Sequence, residues 1–439
     1  MSVFVQLRST PSVQSSVRPN VLVILTDDQR ARGTLRVMPK TRKFLKQRGQ
    51  TFSNAFATTP MCCPSRASIF TGQYAHNHGI HLSVSKNPGF DQRSTLQHQL
   101  QKASYKTAIF GKYLNGWNLS QDPPFFDSWA IFGNTSKAGY YGGRWNVDGE
   151  KRKVKKYSTT FIQERGVEFI RKHSSPKEPW ALFLSTAAPH SPFTPEPQFK
   201  EADVSRRRSV DTPSDRRART KPRFIRNTRR SAGEAADERA GQLRTLMSVD
   251  VLVGEIDRTL RETGQSRETL VIFMSDNGFM WGEHGLTRKM LPYDGSVRIP
   301  LLVRWPGEVE EGGRDDRLAA NIDVAPTIYE ATGVAPPRRS RLDGRSLLGD
   351  WDRDRLLLEY WRAHGKPSWS ALRSQRTLYV EYYRRNGIEV KGRELYDRAT
   401  DLRERINLLN DLKRVPDKRV ERLSRLLSNA RKCAGGSCP

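Results

Sequence analysis

The chain is short of three things: it has four cysteines in 439 residues, 47 acidic residues against 75 Lys and Arg, and no long apolar run. Apolar stretches such as Val21 to Leu25 fall far below the roughly 18 residues that a spanning helix needs, so no transmembrane helix is expected. The opening "MSVFVQLRSTPSVQSSVRPN" is polar and Ser-rich after Val5 and lacks the basic lead and apolar centre of an export signal. The acid deficit leaves a net charge of +28, which says nothing of fold but admits nucleic acid, anionic glycans or acidic surfaces as partners. Scarce cysteine argues against zinc: Cys62 and Cys63 are adjacent, without ligand spacing, and no second Cys/His pair lies at a usable distance. Cys433 and Cys438 flank a Gly-Gly and either close a small disulfide loop or stay as two thiols. A disulfide there would suit a secreted or extracytoplasmic setting that the N-terminus does not announce, so localisation stays open.

What is present is a repeated order of apolar run, polar loop and amphipathic helix. "NVLVILTDD" is a Val/Ile/Leu run without alternation, which reads as a strand buried on both faces and ending near Asp27. Similar runs occur at "KTAIFGK", "WALFLSTAAPH", "TLVIFMSDNG" and "IPLLVRWPG". Between them lie helical stretches, "TLQHQLQKA" and a long one in which Leu243, Leu246, Val249, Val253 and Ile256 recur at three- and four-residue spacing. Strands alternating with helices predict an α/β fold with a doubly wound central sheet and helices on both faces.

Beyond about Gly349 the texture changes to short aromatic strands and then a charged helix from about Asp417 to Ala430, which predicts a smaller antiparallel α+β subdomain. The chain therefore divides into a polar extension over 1–18, an α/β domain over 19–348 and a C-terminal subdomain over 349–439. No repeat period is present. The segment Arg206 to Arg230 carries 11 Lys/Arg against 2 Asp and reads either as a solvated loop or as a loop that contacts polyanions.

In open α/β sheets, ligands bind beyond the carboxyl ends of the strands. Here those ends carry "TDD", "GK", "PH" and "SDNG". Paired aspartates after a strand can simply cap a helix. Together, however, Asp27, Asp28, Asp276 and Asn277 form a set of hard oxygen donors suited to Ca²⁺ or Mg²⁺. Near them in the pattern stand the cations Arg66, Lys112 and Lys289, and His190. A hard divalent ion beside fixed cations suits a tetrahedral oxyanion ester.

The stretch "TTPMCCPSRASIFTG", Thr58 to Gly72, needs a further reading. A thiolate nucleophile fits awkwardly beside hard-oxygen ligands, and a vicinal disulfide leaves Pro64-Ser65-Arg66 unexplained. Cys-x-Pro-Ser-Arg followed by Thr71-Gly72 resembles the consensus of the type I sulfatases, whose first cysteine is oxidised after synthesis to Cα-formylglycine (3-oxoalanine). The resemblance covers nearly the whole chain, in family order, from "RPNVLVILTDDQ" through "YKTAIFGKYLNGWN" and "SDNGFMWGEHGLTRKMLPYDGSVRIPLLVRWPG" to "ELYDRATDLRERINLL". The double cysteine, "HNH" and "GKYLN" look most like the N-acetylglucosamine-6-sulfatase and heparan 6-O-endosulfatase branch.

That resemblance implies an alkaline-phosphatase-like fold and hydrolysis of O-sulfate esters, of a sulfated sugar such as N-acetylglucosamine 6-sulfate or a glycosaminoglycan, or of an aryl sulfate. It implies Ca²⁺ held by Asp27, Asp28, Asp276 and Asn277 and touched by residue 62, with Mg²⁺ as the alternative ion. It implies that Cys62 is converted by a formylglycine-generating enzyme and acts as the aldehyde hydrate. One of the hydrate's hydroxyls attacks sulfur, and the other collapses to the carbonyl and ejects sulfate. Arg66 would hold the modified side chain, Lys112 and Lys289 would neutralise sulfate oxygens, and His190 would contact the sulfate or deliver a proton to the leaving alcohol. Where many sulfatases carry a histidine two residues after the lysine, this chain has Leu114, followed by Asn115, which can supply a hydrogen bond but not a proton. His76 and His78 are further candidates, against local hydrogen bonding by their rings.

Two rival functions are compatible with the pattern: a phosphate or phosphonate ester hydrolase on the same scaffold, and a non-catalytic polyanion-binding protein. The second has no need of Cys62. No membrane span and no nucleic-acid partner are expected.

Overall fold

The computed structural model describes residues 18–87, 89–133, 139–205, 221–226, 232–338, 341–410 and 415–439. Of the basic segment Arg206 to Arg230 only residues 221–226 fall within these, and the polar extension lies outside them except for Arg18.

The apolar runs fold as expected into a central sheet. In chain order its strands are β1 (Asn20–Thr26), β2 (Gln50–Phe56), β3 (Lys106–Lys112), β4 (Ser128–Phe132), β5 (Gly143–Val147), β6 (Glu150–Val154), β7 (Trp180–Ser185) and β8 (Thr269–Ser275). A two-stranded ribbon, β9 (Met280–Trp281) and β10 (Thr287–Arg288), follows, and then β11 (Leu301–Arg304) and β12 (Arg314–Ala320) complete the sheet. The spatial order is β12-β2-β11-β8-β1-β7-β3-β4-β5-β6.

The lack of alternation in β1 has a direct cause. Val21, Val23 and Leu25 enter one apolar cluster while Leu22 and Ile24 enter another on the opposite face. Both faces are covered, so every position must be apolar. Fully burying each such side chain is worth roughly 1.5–3 kcal/mol. β7 and β8 divide in the same way, with Phe183 and Ile272 on one side and Leu182 and Phe273 on the other. The helix Ala232–Glu262 lies on the second face, and its Leu246, Val249, Val253 and Ile256 are all fully buried there.

The sheet is mixed. β8, β1, β7, β3 and β4 run parallel, whereas β11 is antiparallel to β8. A parallel return requires a crossover of a dozen or more residues, usually helical. The chain between β8 and β11 instead spends its length on the β9-β10 ribbon and the short helix Asp294–Val297, and comes back alongside.

The aromatic C-terminal strands form a second sheet of four antiparallel strands, β13 (Leu356–Tyr360), β14 (Trp369–Arg373), β15 (Thr377–Tyr383) and β16 (Val390–Asp397), in that order. The helix Asp417–Ala430 follows, with the expected bounds. Cys433 and Cys438 are disulfide bonded. Among the described residues no helix is long and apolar enough to cross a membrane.

Candidate active site

Register gathers the acidic groups. β1 and β8 are parallel neighbours with Thr26 opposite Ser275, so Asp27 and Asp28 leave the sheet beside Asp276 and Asn277. Asp28 takes a left-handed conformation, φ 73°, which turns the chain sharply at the strand end. All four residues are buried. They are cross-bonded: Asp28 N donates to Asp276 Oδ1 at 3.2 Å and Asn277 Nδ2 donates to Asp28 Oδ1 at 2.6 Å.

The neighbouring strands supply cations. Lys112 ends β3 and its ammonium donates to Asp27 Oδ2. Burial alone would raise the Asp27 carboxyl, but Lys112, with His190, Arg66 and Lys289 behind it, holds it well below the usual carboxylate range. Lys289 follows β10 and lies between Arg288 and Met290, both at positive φ, so the backbone kinks twice and drives the lysine inward. Its ammonium donates to Asp28 Oδ1, to Asn277 Oδ1 at 3.3 Å and to Cys62 Sγ at 2.7 Å. Three buried carboxylates thus face three buried cations, Arg66, Lys112 and Lys289.

Cys62 opens the helix Cys62–Thr71, every residue of which is buried. Its thiol donates to Asp27 Oδ1 at 3.2 Å. Burial pushes that thiol above its ordinary value, and Asp27 adds to the effect. Cys63, one position on, points elsewhere, donating to the Asn115 carbonyl at 3.6 Å, and burial pushes its thiol up to about 11. Both thiols are free, so no vicinal disulfide forms. One turn beyond Cys62, Arg66 donates from Nε to Asp276 Oδ2 at 2.8 Å and from Nη1 to the Lys112 carbonyl at 2.7 Å, while its buried Nη2 has no partner among the described residues.

His190 lies on the loop after β7. Its Nδ1 donates to the Ser191 carbonyl at 2.7 Å, and Nε2 stands 3.8 Å from Asp28 Oδ2. Single donor atoms of Asp27, Asp28, Cys62 and His190 all lie within 4.8 Å of one another. The sequence pattern sets His190 near the oxygen donors as a group for the sulfate or the leaving alcohol, and the structure puts its ring beside the Asp28 carboxylate. The donor set fits a hard divalent cation: the carboxylates of Asp27 and Asp28 lie together, Asp276 is tied to Asp28 through its backbone N–H, and a lysine ammonium is already drawn between Asp28 and the Asn277 amide oxygen.

Cys62, His190 and Lys289 line a cavity of about 520 Å³ that Asn115 also lines. Asn115 Oδ1 is buried and without a partner among the described residues. Leu114 is packed into the apolar core and contributes nothing to the cavity. His78 accepts from Ile80 N, meets Ser68 Oγ at 3.1 Å and is lowered to about 3 by burial, so its ring is neutral. His76 bonds Glu359 and the Cys433 carbonyl. Both rings are spent on structural hydrogen bonds, those of His76 reaching the C-terminal part of the chain. Sequence reasoning missed the C-terminal sheet's contribution, because Arg362, Ala363 and His364, between β13 and β14, also line the cavity.

Residues 19–334 match the family described as Sulfatase, nearly three-quarters of the chain. The chain belongs to the sulfatase family. Residues 282–432 of this sulfatase-family chain also match the N-sulphoglucosamine sulphohydrolase C-terminal family. It is 34% identical over 354 residues to the extracellular sulfatase SULF-1 homolog of Drosophila melanogaster, covering 75% of this chain and 31% of that one. It is 31% identical over 361 residues to the N-acetylglucosamine-6-sulfatase of Homo sapiens, covering 75% and 64%. The chain therefore spans less than two-thirds of either relative. A solved structure described as BT4656 in complex with its substrate D-glucosamine-2-N,6-O-disulfate superposes with a TM-score of 0.78 at 23% identity, covering 94% and 98%, which establishes the shared fold.

Proposed function

We propose that this chain hydrolyses O-sulfate esters of sulfated sugars, with residue 62 as the nucleophile after oxidation of its cysteine. The observation that carries the reading is the position of Cys62. It begins a buried helix, lines the cavity and touches Asp27 and Lys289, whereas the thiol of Cys63, also at the cavity, meets the Asn115 carbonyl. A helix N-terminus favours anions, and the cations Lys112 and Lys289 add to that field.

Asp27, Asp28, Asp276 and Asn277 are the residues that would hold Ca²⁺, with residue 62 beside them and Mg²⁺ as the alternative. The ion, when bound, supplies Lewis acidity toward the nucleophilic hydroxyl and a sulfate oxygen. The modified residue supplies a hydroxyl that a cysteine lacks. Three carboxylates and three protein cations nearly cancel, so a divalent ion leaves the site net positive and ready for a sulfate monoester. Arg66 has a buried Nη2 to spare for orienting residue 62. Lys112 and Lys289 stabilise charge on the sulfate oxygens, and His190, whose Nδ1 donates to the Ser191 carbonyl, turns Nε2 toward the site, from which its imidazolium form gives a proton to the leaving alcohol. Asn115 offers an unengaged amide oxygen at the position next to the family's absent histidine.

Within this class we infer a glucosamine 6-O-sulfate, free or within a glycosaminoglycan, from the relatives named above. The test has two arms. The mass of the peptide containing residue 62 should show conversion to formylglycine in active protein, and turnover of aryl sulfate should exceed that of aryl phosphate. An active preparation carrying only unmodified Cys62, or a preference for phosphate, would overturn the reading.

A further inference from the structure

A second cavity, of about 630 Å³, opens on the C-terminal sheet, lined by Arg362, Arg384, Arg385 and Lys391 with Tyr383 and Asn386 among others. Four cations and no carboxylate line it. Among the described residues, Arg362, Arg385 and Lys391 make no ion pair, and Arg384 has only an exposed one with Glu389 at 3.2 Å. Exposed pairs of that kind are worth about 1 kcal/mol or less, so Arg384 remains available too.

Arg362 lines both this cavity and the one above Cys62. The loop that carries it, between β13 and β14, is braced on several sides. Trp361 stacks on His81 with ring centroids 3.9 Å apart, Tyr360 Oη donates to the Ala363 carbonyl at 2.9 Å, and Arg362 N donates to Ser368 Oγ at 2.9 Å. Trp369 Nε1 donates to the Met290 carbonyl at 3.0 Å, which ties the loop's far end to the residue after Lys289. The wall between the two cavities is thus built into the catalytic floor, and a cation stands on it.

We propose that the Arg362, Arg384, Arg385 and Lys391 cavity is a second anion subsite, which binds a sulfate or carboxylate on a neighbouring sugar while another sulfate is hydrolysed above residue 62. This rests on the sulfatase reading and extends it to substrate length: the preferred substrate carries at least two anionic groups on linked sugars. Guanidinium groups suit the task because their planar donors pair with sulfate and carboxylate alike. The two charges of a polysulfated oligosaccharide then engage one rigid surface at once, which lowers KM without touching the sulfur chemistry.

The experiment compares a heparin-derived tetrasaccharide with 4-nitrophenyl sulfate on the wild type and on Arg385→Ala with Lys391→Ala. Lost charge-assisted contacts predict a fall of about tenfold or more in kcat/KM for the tetrasaccharide, carried by KM, with the aryl sulfate changing less than about twofold. Lys151→Ala with Lys153→Ala on edge strand β6 removes the same charge elsewhere and should leave both substrates unaffected. Equal losses on both substrates, no loss on either, or an equal loss from the β6 variant would each overturn the subsite. Should the wild type turn over no sulfate ester, the sulfatase reading falls alone. Equilibrium binding of the same tetrasaccharide then decides the subsite, by whether the Arg385/Lys391 variant binds about tenfold more weakly.

Discussion

Arg66 Nε and Asp276 Oδ2 lie 2.8 Å apart with neither side chain exposed to solvent at all. This pair joins the helix that carries Cys62 to the end of β8 and so fixes the distance between Cys62 and the carboxylates. Removing one member leaves the other charged and buried, which costs about 3–5 kcal/mol. Arg66→Ala should therefore lower the unfolding free energy by that order, read from urea denaturation, and abolish turnover, while Arg66→Lys keeps more stability than activity. A variant of wild-type stability would remove Arg66 from this role.

Cys62 and Cys63 should separate cleanly. Cys62→Ala is expected to eliminate sulfate ester hydrolysis with little change in thermal midpoint. Cys63→Ala should keep the activity and lose only about 1 kcal/mol, the cost of a small void where Cys63 packs in the core. Inactivity of Cys63→Ala in a folded protein would contradict the assignment.

Divalent cation should bind the folded chain and stabilise it. At a concentration about 100-fold above its dissociation constant the expected gain is about 2.7 kcal/mol, read as a rise in thermal midpoint even in Cys62→Ala. Asp28→Asn should reduce that rise, and chelation should remove it. A midpoint indifferent to Ca²⁺ and Mg²⁺ would count against the donor set.

His76 gives the fold a pH dependence of its own. Burial alone would lower its affinity for a proton, but the hydrogen bond and charge of Glu359, with the Cys433 carbonyl and Asp343 behind, raise it above the ordinary 6.5. A raised histidine binds more protons folded than unfolded, so its contribution is complete below the unfolded value and is lost as pH rises through the folded one. Unfolding free energy measured from about pH 6 to about pH 8 should decline, and His76→Gln should flatten that part of the decline. An unchanged slope in the variant would assign the pH dependence to other groups.

Much of this was legible in the chain. The unalternating run Asn20–Thr26 announced a strand covered on both faces, and Leu243 to Ile256 announced the face of a buried helix. Cys62-Cys63-Pro64-Ser65-Arg66 carried its own chemistry, because Arg66 stands one helical turn from Cys62 and shares its side. Such features depend on near neighbours, whose relative positions local geometry sets.

Other features depend on register, chain direction and distant contacts, which near neighbours do not encode. Pairing Thr26 with Ser275 puts Asp27 and Asp28 beside Asp276, some 250 residues away in the chain. Two left-handed residues, Arg288 and Met290, aim Lys289 at Cys62, and nothing in their identity announces that conformation. The antiparallel return of β11 and the reach of Arg362 from the second sheet to the active-site cavity follow from how completed elements pack. The sequence by itself determined which groups could do the chemistry. The tertiary structure decided which of them meet, because burying two apolar faces and an antiparallel sheet together leaves one arrangement in which those charges find partners.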